Sequence, residues 1–160
     1  EGFDLAIRIG GASAEAGLIS RKVASYRTLL CAAPGYLAER SEPAYPDALA
    51  DHDCLLFKSR GDTHRWRYRD EDGAWRRIPT GCRLRMDSGE TIRDAVVAGM
   101  GIAFLPEFLV AEDLASGRLR EVLPRLRFEE APIVVLYPGK RLLAPRVRHF
   151  IDLMVEELGG

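Results

Sequence analysis

Cysteine is scarce in this 160-residue chain, and the little there is does not pair by pattern. Cys31, Cys54 and Cys82 are an odd number, with no CxxC spacing and no histidine at ligand distance. Both a disulfide framework and a zinc site are therefore disfavoured, and no metal or other cofactor is expected. Cys31 lies within Leu29-Leu30-Cys31-Ala32 and Cys54 opens Cys54-Leu55-Leu56-Phe57, so both read as small buried hydrophobes in a reducing, cytoplasmic setting. An excess of either charge is lacking too. With 23 Lys plus Arg against 24 Asp plus Glu, no global field attracts nucleic acid or anionic lipid. No apolar run approaches the roughly 20 residues that span a bilayer, so no membrane association is expected. His52, His64 and His149 are scattered among charged neighbours, none beside a nucleophile. An initiator methionine and a basic, apolar leader are also missing. Glu1-Gly2-Phe3-Asp4 runs straight into the alternation Phe3, Leu5, Ile7, Ile9, which reads as a piece of something longer.

What is present is the material of an ordinary core, 47% hydrophobic against 29% charged residues. Strand and helix signals alternate along the chain, the pattern of an α/β domain. Phe3 to Ile9 predicts a strand, broken at Gly10-Gly11-Ala12-Ser13, and Ala24 to Ala32 a second. Short helical turns follow Pro34-Gly35 and Pro46, before the buried strand Cys54 to Phe57. Arg65-Trp66-Arg67-Tyr68-Arg69 alternates strictly, and the turn at Asp70-Glu71-Asp72-Gly73 folds it onto Ala74 to Ile78 as a hairpin. Arg83 to Met86 is a strand, and the helix after it places Ile92, Ala95, Val96 and Gly99 on one face. Ile102 to Leu105 is a short strand, Pro106 suits the start of a helix through Leu114 and Ala115, and Gly117 stops it. Leu119 to Leu123 is extended, and Pro132 to Tyr137 is the most apolar strand. Val147, Phe150, Ile151, Met154 and Leu158 recur at helical spacing, so an amphipathic helix starts near Pro145.

Several segments invite a functional reading. Arg60 to Arg85 mixes arginines with Trp66, Tyr68 and Trp75, as a nucleic-acid surface would. An amphipathic hairpin explains the mixture better, since Trp66 and Tyr68 share one face and Arg65, Arg67 and Arg69 the other. Gly99-Met100-Gly101 follows a helix and opens a strand, the reverse of a dinucleotide-binding loop, and reads as a helix stop. Asp87-Ser88-Gly89-Glu90 joins a strand end to a helix start. There, unpaired amides and the helix dipole favour anions, Gly89 permits close approach and Ser88 can donate a hydrogen bond. The same residues would also serve as plain helix capping, with Asp87 and Glu90 as a capping box or Ser88 as N-cap. Arg8, between Ile7 and Ile9, reads either as a partner for an anion or as an outward-facing arginine. Lys58-Ser59, after a buried strand, carries the same two readings. No base and orienting group accompany Asp87 or Ser88, so an enzyme is not expected.

Four segments in order, Phe3-Asp4-Leu5-Ala6-Ile7-Arg8-Ile9-Gly10, Leu30-Cys31-Ala32-Ala33-Pro34-Gly35-Tyr36-Leu37, Ala98-Gly99-Met100-Gly101-Ile102-Ala103-Phe104-Leu105-Pro106 and Gly117-Arg118-Leu119 with Val122-Leu123-Pro124, resemble the effector-binding domain of LysR-type transcriptional regulators. The resemblance runs from Phe3 to Leu158. It implies an α/β fold of the periplasmic-binding-protein type II-like kind, two lobes joined by crossing strands with an effector in the cleft. Residues 1–27 would end the first lobe, 28–131 form the second and 132–160 return to the first. That first lobe would be incomplete, with the N-terminal winged helix-turn-helix absent. Effector contacts carry over to Arg8 and Ile9, to Lys58 and Ser59, to Asp87, Ser88 and Gly89, and to an apolar wall at Ile102 and Phe104. The implied function is ligand sensing in a cytoplasmic bacterial transcription regulator. Its partners would be a small, anionic effector, further copies of the same chain, and DNA only through the missing N-terminal domain. A solute-binding protein of a transporter, sharing the fold, is the alternative.

Overall fold

Arg27 breaks the extended run expected from Ala24 to Ala32 into two strands that belong to different sheets. The computed structural model describes residues 4–9, 17–58, 66–139 and 145–158. In chain order the elements are β1 (Ala6–Ile9), β2 (Leu18–Tyr26), β3 (Thr28–Ala32), α1 (Pro34–Arg40), a 3-10 helix (Pro46–Asp51), β4 (Cys54–Phe57), β5 (Arg67–Arg69), β6 (Trp75–Arg77), β7 (Cys82–Met86), α2 (Gly89–Val97), β8 (Ile102–Pro106), α3 (Glu107–Ala115), β9 (Arg120–Val122), β10 (Ala131–Pro138) and α4 (Pro145–Leu158). Contacts divide the chain into two units, Glu1–Tyr26 with Glu130–Gly160, and Arg27–Glu129. Among the described residues, no helix is long and apolar enough to cross a membrane.

In the first unit, β10 is the central strand, antiparallel to β1 on one side and β2 on the other. Its continuous apolar run is explained by burial: Val134, Val135 and Leu136 are all covered. α4 lays Val147 and Ile151 against Val23 and Val135, with Met154 and Val155 packed beside them. Phe150 and Leu158, expected on the same stripe, are exposed, because a sheet of three strands covers only a narrow strip of one helix. On β1, Ile7 is 46% and Ile9 55% exposed, so the opening alternation does not by itself bury these side chains.

The second unit is built on a five-stranded sheet in the order β7-β4-β8-β3-β9. β4 runs parallel to β7 and β8, whereas β3 runs antiparallel to β8 and β9. Both faces of the sheet are covered, which is why β3 is buried along its whole length. One face packs Leu29, Cys31, Leu55, Ala103 and Leu105 under α2 and α3, which contribute Ile92, Val96 and Val110. The other packs Leu30, Ala32, Cys54, Leu56 and Ile102 against Tyr36, Leu37, Leu49, Trp66 and Ile78. Gly99 takes φ +80 after α2, the left-handed stop its position implied. Gly101 answers to a harder constraint, since a Cβ there would lie 2.0 Å from the carbonyl oxygen of Asp53.

The basic hairpin is formed by β5 and β6, with Tyr68 opposite Arg76. Trp66 is buried and Tyr68 half-buried against the core, while Arg67 and Arg69 are exposed. Trp75 departs from that division. It pairs with Arg69 across the ribbon, and the guanidinium carbons of Arg67 and Arg69 each lie 5.5 Å from the ring centre of this exposed tryptophan.

Candidate functional site

The second sheet brings several strand ends to one edge. β4, β7 and β8 run in the same direction, so Lys58, the Asp87-Ser88-Gly89 turn and Pro106 all lie at their carboxyl ends. β3 starts at that edge, with Thr28 opposite Pro106. In open α/β sheets this is the edge at which ligands collect.

Lys58 and the turn are tied together directly, since the Lys58 amide donates to the Met86 carbonyl at 2.6 Å. The Lys58 side chain is exposed, as is that of Asp87. Ser88, and not the Asp87–Glu90 capping box, caps α2. Its Oγ accepts the Thr91 amide at 3.2 Å and donates to Glu90 Oε2 at 2.8 Å. Glu90's own backbone amide and the Ser88 hydroxyl hold its carboxyl below the usual carboxylate range. A carboxylate of the chain itself therefore occupies the start of α2, where an anion is favoured. A Cβ on Gly89 would come 3.2 Å from Leu109 Cδ2, so the close approach there includes α3.

α2 is held from its other flank by a buried carboxylate. Asp113 of α3, its side chain 1% exposed, receives Arg93 Nε at 2.6 Å and Arg118 Nη2 at 2.6 Å. The Arg93 hydrogen bond pulls the Asp113 carboxyl below its ordinary range against the opposing effect of burial, and Arg118 adds to the pull.

The remaining expected residues are dispersed. Phe104 is half-buried in mid-β8, its ring centre 4.8 Å from Phe128 and 5.9 Å from Trp66. Ile102 opens β8 opposite Ala32 and Cys54, so it lies at the other end of the strand from Lys58 and is 0% exposed. Arg8, half-buried, and Ile9 lie on β1 of the first unit, opposite Val134 and Ile133. Ser59 lies outside the described residues.

Thr28 escaped the sequence reading. Its Oγ1 is buried and has no hydrogen-bond partner among the described residues, a costly arrangement for a hydroxyl. The signal was a single hydroxyl at the head of the apolar run Leu29 to Ala33. The Arg93–Asp113–Arg118 brace left no comparable signal, because 20 residues separate Arg93 from Asp113.

The arrangement can offer the Lys58 ammonium to a small polar molecule and, where that molecule displaces Glu90, the Ser88 hydroxyl and the Glu90 amide as well, with Asp87 as an acceptor. The family model described as the LysR substrate binding domain matches residues 1–159. The HTH-type transcriptional regulator CrgA of Neisseria meningitidis serogroup C is 34% identical over 158 residues, covering 98% of this chain and 52% of that protein. PtxR of Pseudomonas aeruginosa, another HTH-type transcriptional regulator, is 35% identical over 161 residues, with 98% and 50% covered. The chain thus spans about half the length of these relatives. The solved regulatory domain of the Neisseria meningitidis CrgA superposes with a TM-score of 0.82 at 32% identity, over 98% of this chain and 76% of that one. These likenesses favour a regulator's domain over a transporter's binding protein, and the mixed sheets have the periplasmic-binding-protein type II-like α/β fold of LysR regulatory domains. The chain belongs to the LysR substrate-binding domain family of transcriptional regulators.

Proposed function

We propose that this chain senses a small-molecule effector at the strand-end edge of its second unit and, in the whole protein, uses the binding energy to change how a DNA-binding domain engages its operator. The observation that carries this reading is the Lys58–Met86 hydrogen bond, which joins the ends of two parallel strands beside the N-terminus of α2 in a chain of this family. Lys58, Asp87, Ser88 and Gly89 are the proposed contacts there. Phe104 supplies apolar surface, Ile102 supports its strand from the core, and the family resemblance adds Arg8, Ile9 and Ser59. The family is one of transcriptional regulators, which supports a role as a binding domain without chemistry of its own.

The effector is an anion in this reading, and it competes with Glu90 for Ser88 and the helix amides. The exposed Lys58 ammonium is a cation on offer at this edge. Effector binding shifts the protein between conformations only in proportion to its difference in affinity for them. The full-length protein acts as a homo-oligomer in the cytoplasm. A thermal-shift screen of small carboxylates against the domain tests the binding step. A ligand at 100 times its Kd adds about 2.7 kcal/mol of stability, a rise in Tm that is easily read. Binding that is unchanged in Ser88→Ala and in Lys58→Ala would place the effector elsewhere.

A further inference from the structure

Two of the three cysteines are register partners. β4 and β7 lie side by side in parallel, and Cys54 is opposite Cys82. Side chains of register partners project from the same face of a sheet, and neighbouring strands are about 4.8 Å apart. That spacing lies within the range of roughly 4.4–6.8 Å over which a disulfide joins two Cα atoms. The Cys54 amide donates to the carbonyl of Gly81, the residue before Cys82, at 2.7 Å. The thiols are near enough to interact electrostatically, Cys82 helping to raise the pKa of Cys54. The Cys54 thiol also donates to the Leu49 carbonyl at 3.5 Å and that of Cys82 to the Leu84 carbonyl at 3.9 Å, both long hydrogen bonds.

The two differ in access. Cys54 is buried, whereas Cys82 is exposed on an edge strand. Beside the pair, the register slips, with Leu55 opposite Leu84, so β7 carries one extra residue, Arg83. An irregular edge strand bends more readily than a central one. Cys31 has no such neighbour, since its partners are Ala103 and Glu121.

We propose that Cys82 and Cys54 are a peroxide-modification site, at which a hydroperoxide converts the pair into a reversible disulfide across β4 and β7. The Cys82 thiol gives its proton to solvent, the thiolate attacks the terminal oxygen of the hydroperoxide, the O–O bond breaks, and the alkoxide (or hydroxide, from hydrogen peroxide) takes a proton from solvent and leaves as an alcohol (or water), with a Cys82 sulfenic acid formed. The Cys54 sulfur then attacks the Cys82 sulfur. The S–S bond forms, the S–O bond breaks, and water departs with the Cys54 proton. Two electrons pass from the thiols to the hydroperoxide. Burial pushes the Cys54 thiol up to about 12, which makes the second step the slow one and dependent on movement of the edge strand. The cross-link would fasten the opposite ends of the two strands that lead to Lys58 and to Asp87-Ser88-Gly89, yet its formation does not depend on any effector binding there.

Treating the full chain with hydrogen peroxide, then denaturing, alkylating and mapping it without reduction, tests the proposal. Free thiols are expected to fall from three to one, with a Cys54–Cys82 peptide pair about 2 Da lighter than the two peptides with free thiols, and dithiothreitol should restore all three. Cys31→Ser should still form the link. Cys82→Ser, a change at an exposed position that leaves the core intact, should keep both its thiols. Cys82 recovered as sulfinic or sulfonic acid with Cys54 still free, or as a Cys82–Cys82 link between chains, would overturn it.

Discussion

Asp113 on α3 and Arg93 on α2 form a hydrogen-bonded ion pair at 2.6 Å around a carboxylate that is almost fully buried. Because the folded pKa of Asp113 is depressed, its contribution to stability is complete above the ordinary carboxylate range and disappears as pH falls through the lowered value. Asp113→Ala should therefore cost about 2 kcal/mol at neutral pH. The figure stays below that of a fully buried pair because Arg93 and Arg118 keep access to water, Arg118 being 53% exposed. Arg118→Ala should cost about 0.5 kcal/mol. Urea melts across pH 2 to 7 check both values, and Asp113→Ala should flatten the acid side of the profile.

Ser88 and Glu90 should separate in their effects. Ser88→Ala removes the α2 cap and should lower stability by about 1 kcal/mol. Glu90→Gln removes the competing charge, so it should tighten binding of a carboxylate effector several-fold. The Glu90 pKa is lowered, so Glu90 remains ionised above the ordinary glutamate range, and the gain should be constant there and shrink as pH falls through the depressed value. Titration calorimetry at pH 7 and pH 4 reads both outcomes.

Gly101 and Gly117 offer a paired test of backbone constraint. Gly101→Ala forces a methyl group onto the Asp53 carbonyl, which also accepts the Ile102 amide at 2.9 Å, and should cost more than about 3 kcal/mol. Gly117 has φ +75 with nothing within 4 Å of an added Cβ, so Gly117→Ala should cost only the left-handed penalty of about 1–2 kcal/mol. Chemical denaturation of the two variants gives the comparison.

Ile102 and Phe104 should divide packing from recognition. Ile102→Ala empties a fully buried site and should lower stability by about 2–4 kcal/mol, while Ile102→Val should leave effector affinity unchanged. Phe104→Leu, at a half-buried position against Trp66 and Phe128, should weaken binding more than it lowers Tm.

What was legible in the sequence is what short-range periodicity encodes. The α2 face of Ile92, Ala95 and Val96 and the hairpin turning at Asp70 to Gly73 are as the pattern implied. So is the stop at Gly99. The break at Arg27 was not, because Ala24 to Ala32 is uniformly suited to extended structure and only pairing assigns its halves to different sheets. The exposure of Ile7 and Phe150 depends on how much surface covers them, which periodicity does not report. At the candidate site, the Asp87-Ser88-Gly89 turn was visible because capping is local. Its union with Lys58 depends on the parallel pairing of β4 and β7, and Thr28's place on the edge depends on β8. Ile102 and Phe104, two residues apart, looked equivalent in the chain, and strand direction separates them.

If a small molecule bound by this domain controls operator engagement, an operator footprint of the full-length protein, taken with and without a thermal-shift ligand, reads that control at the DNA itself. The ligand should alter the footprint, and Ser88→Ala should blunt the response while leaving the ligand-free footprint intact. A footprint that the bound ligand leaves unchanged, or full-length protein that engages no DNA under any condition, would contradict it.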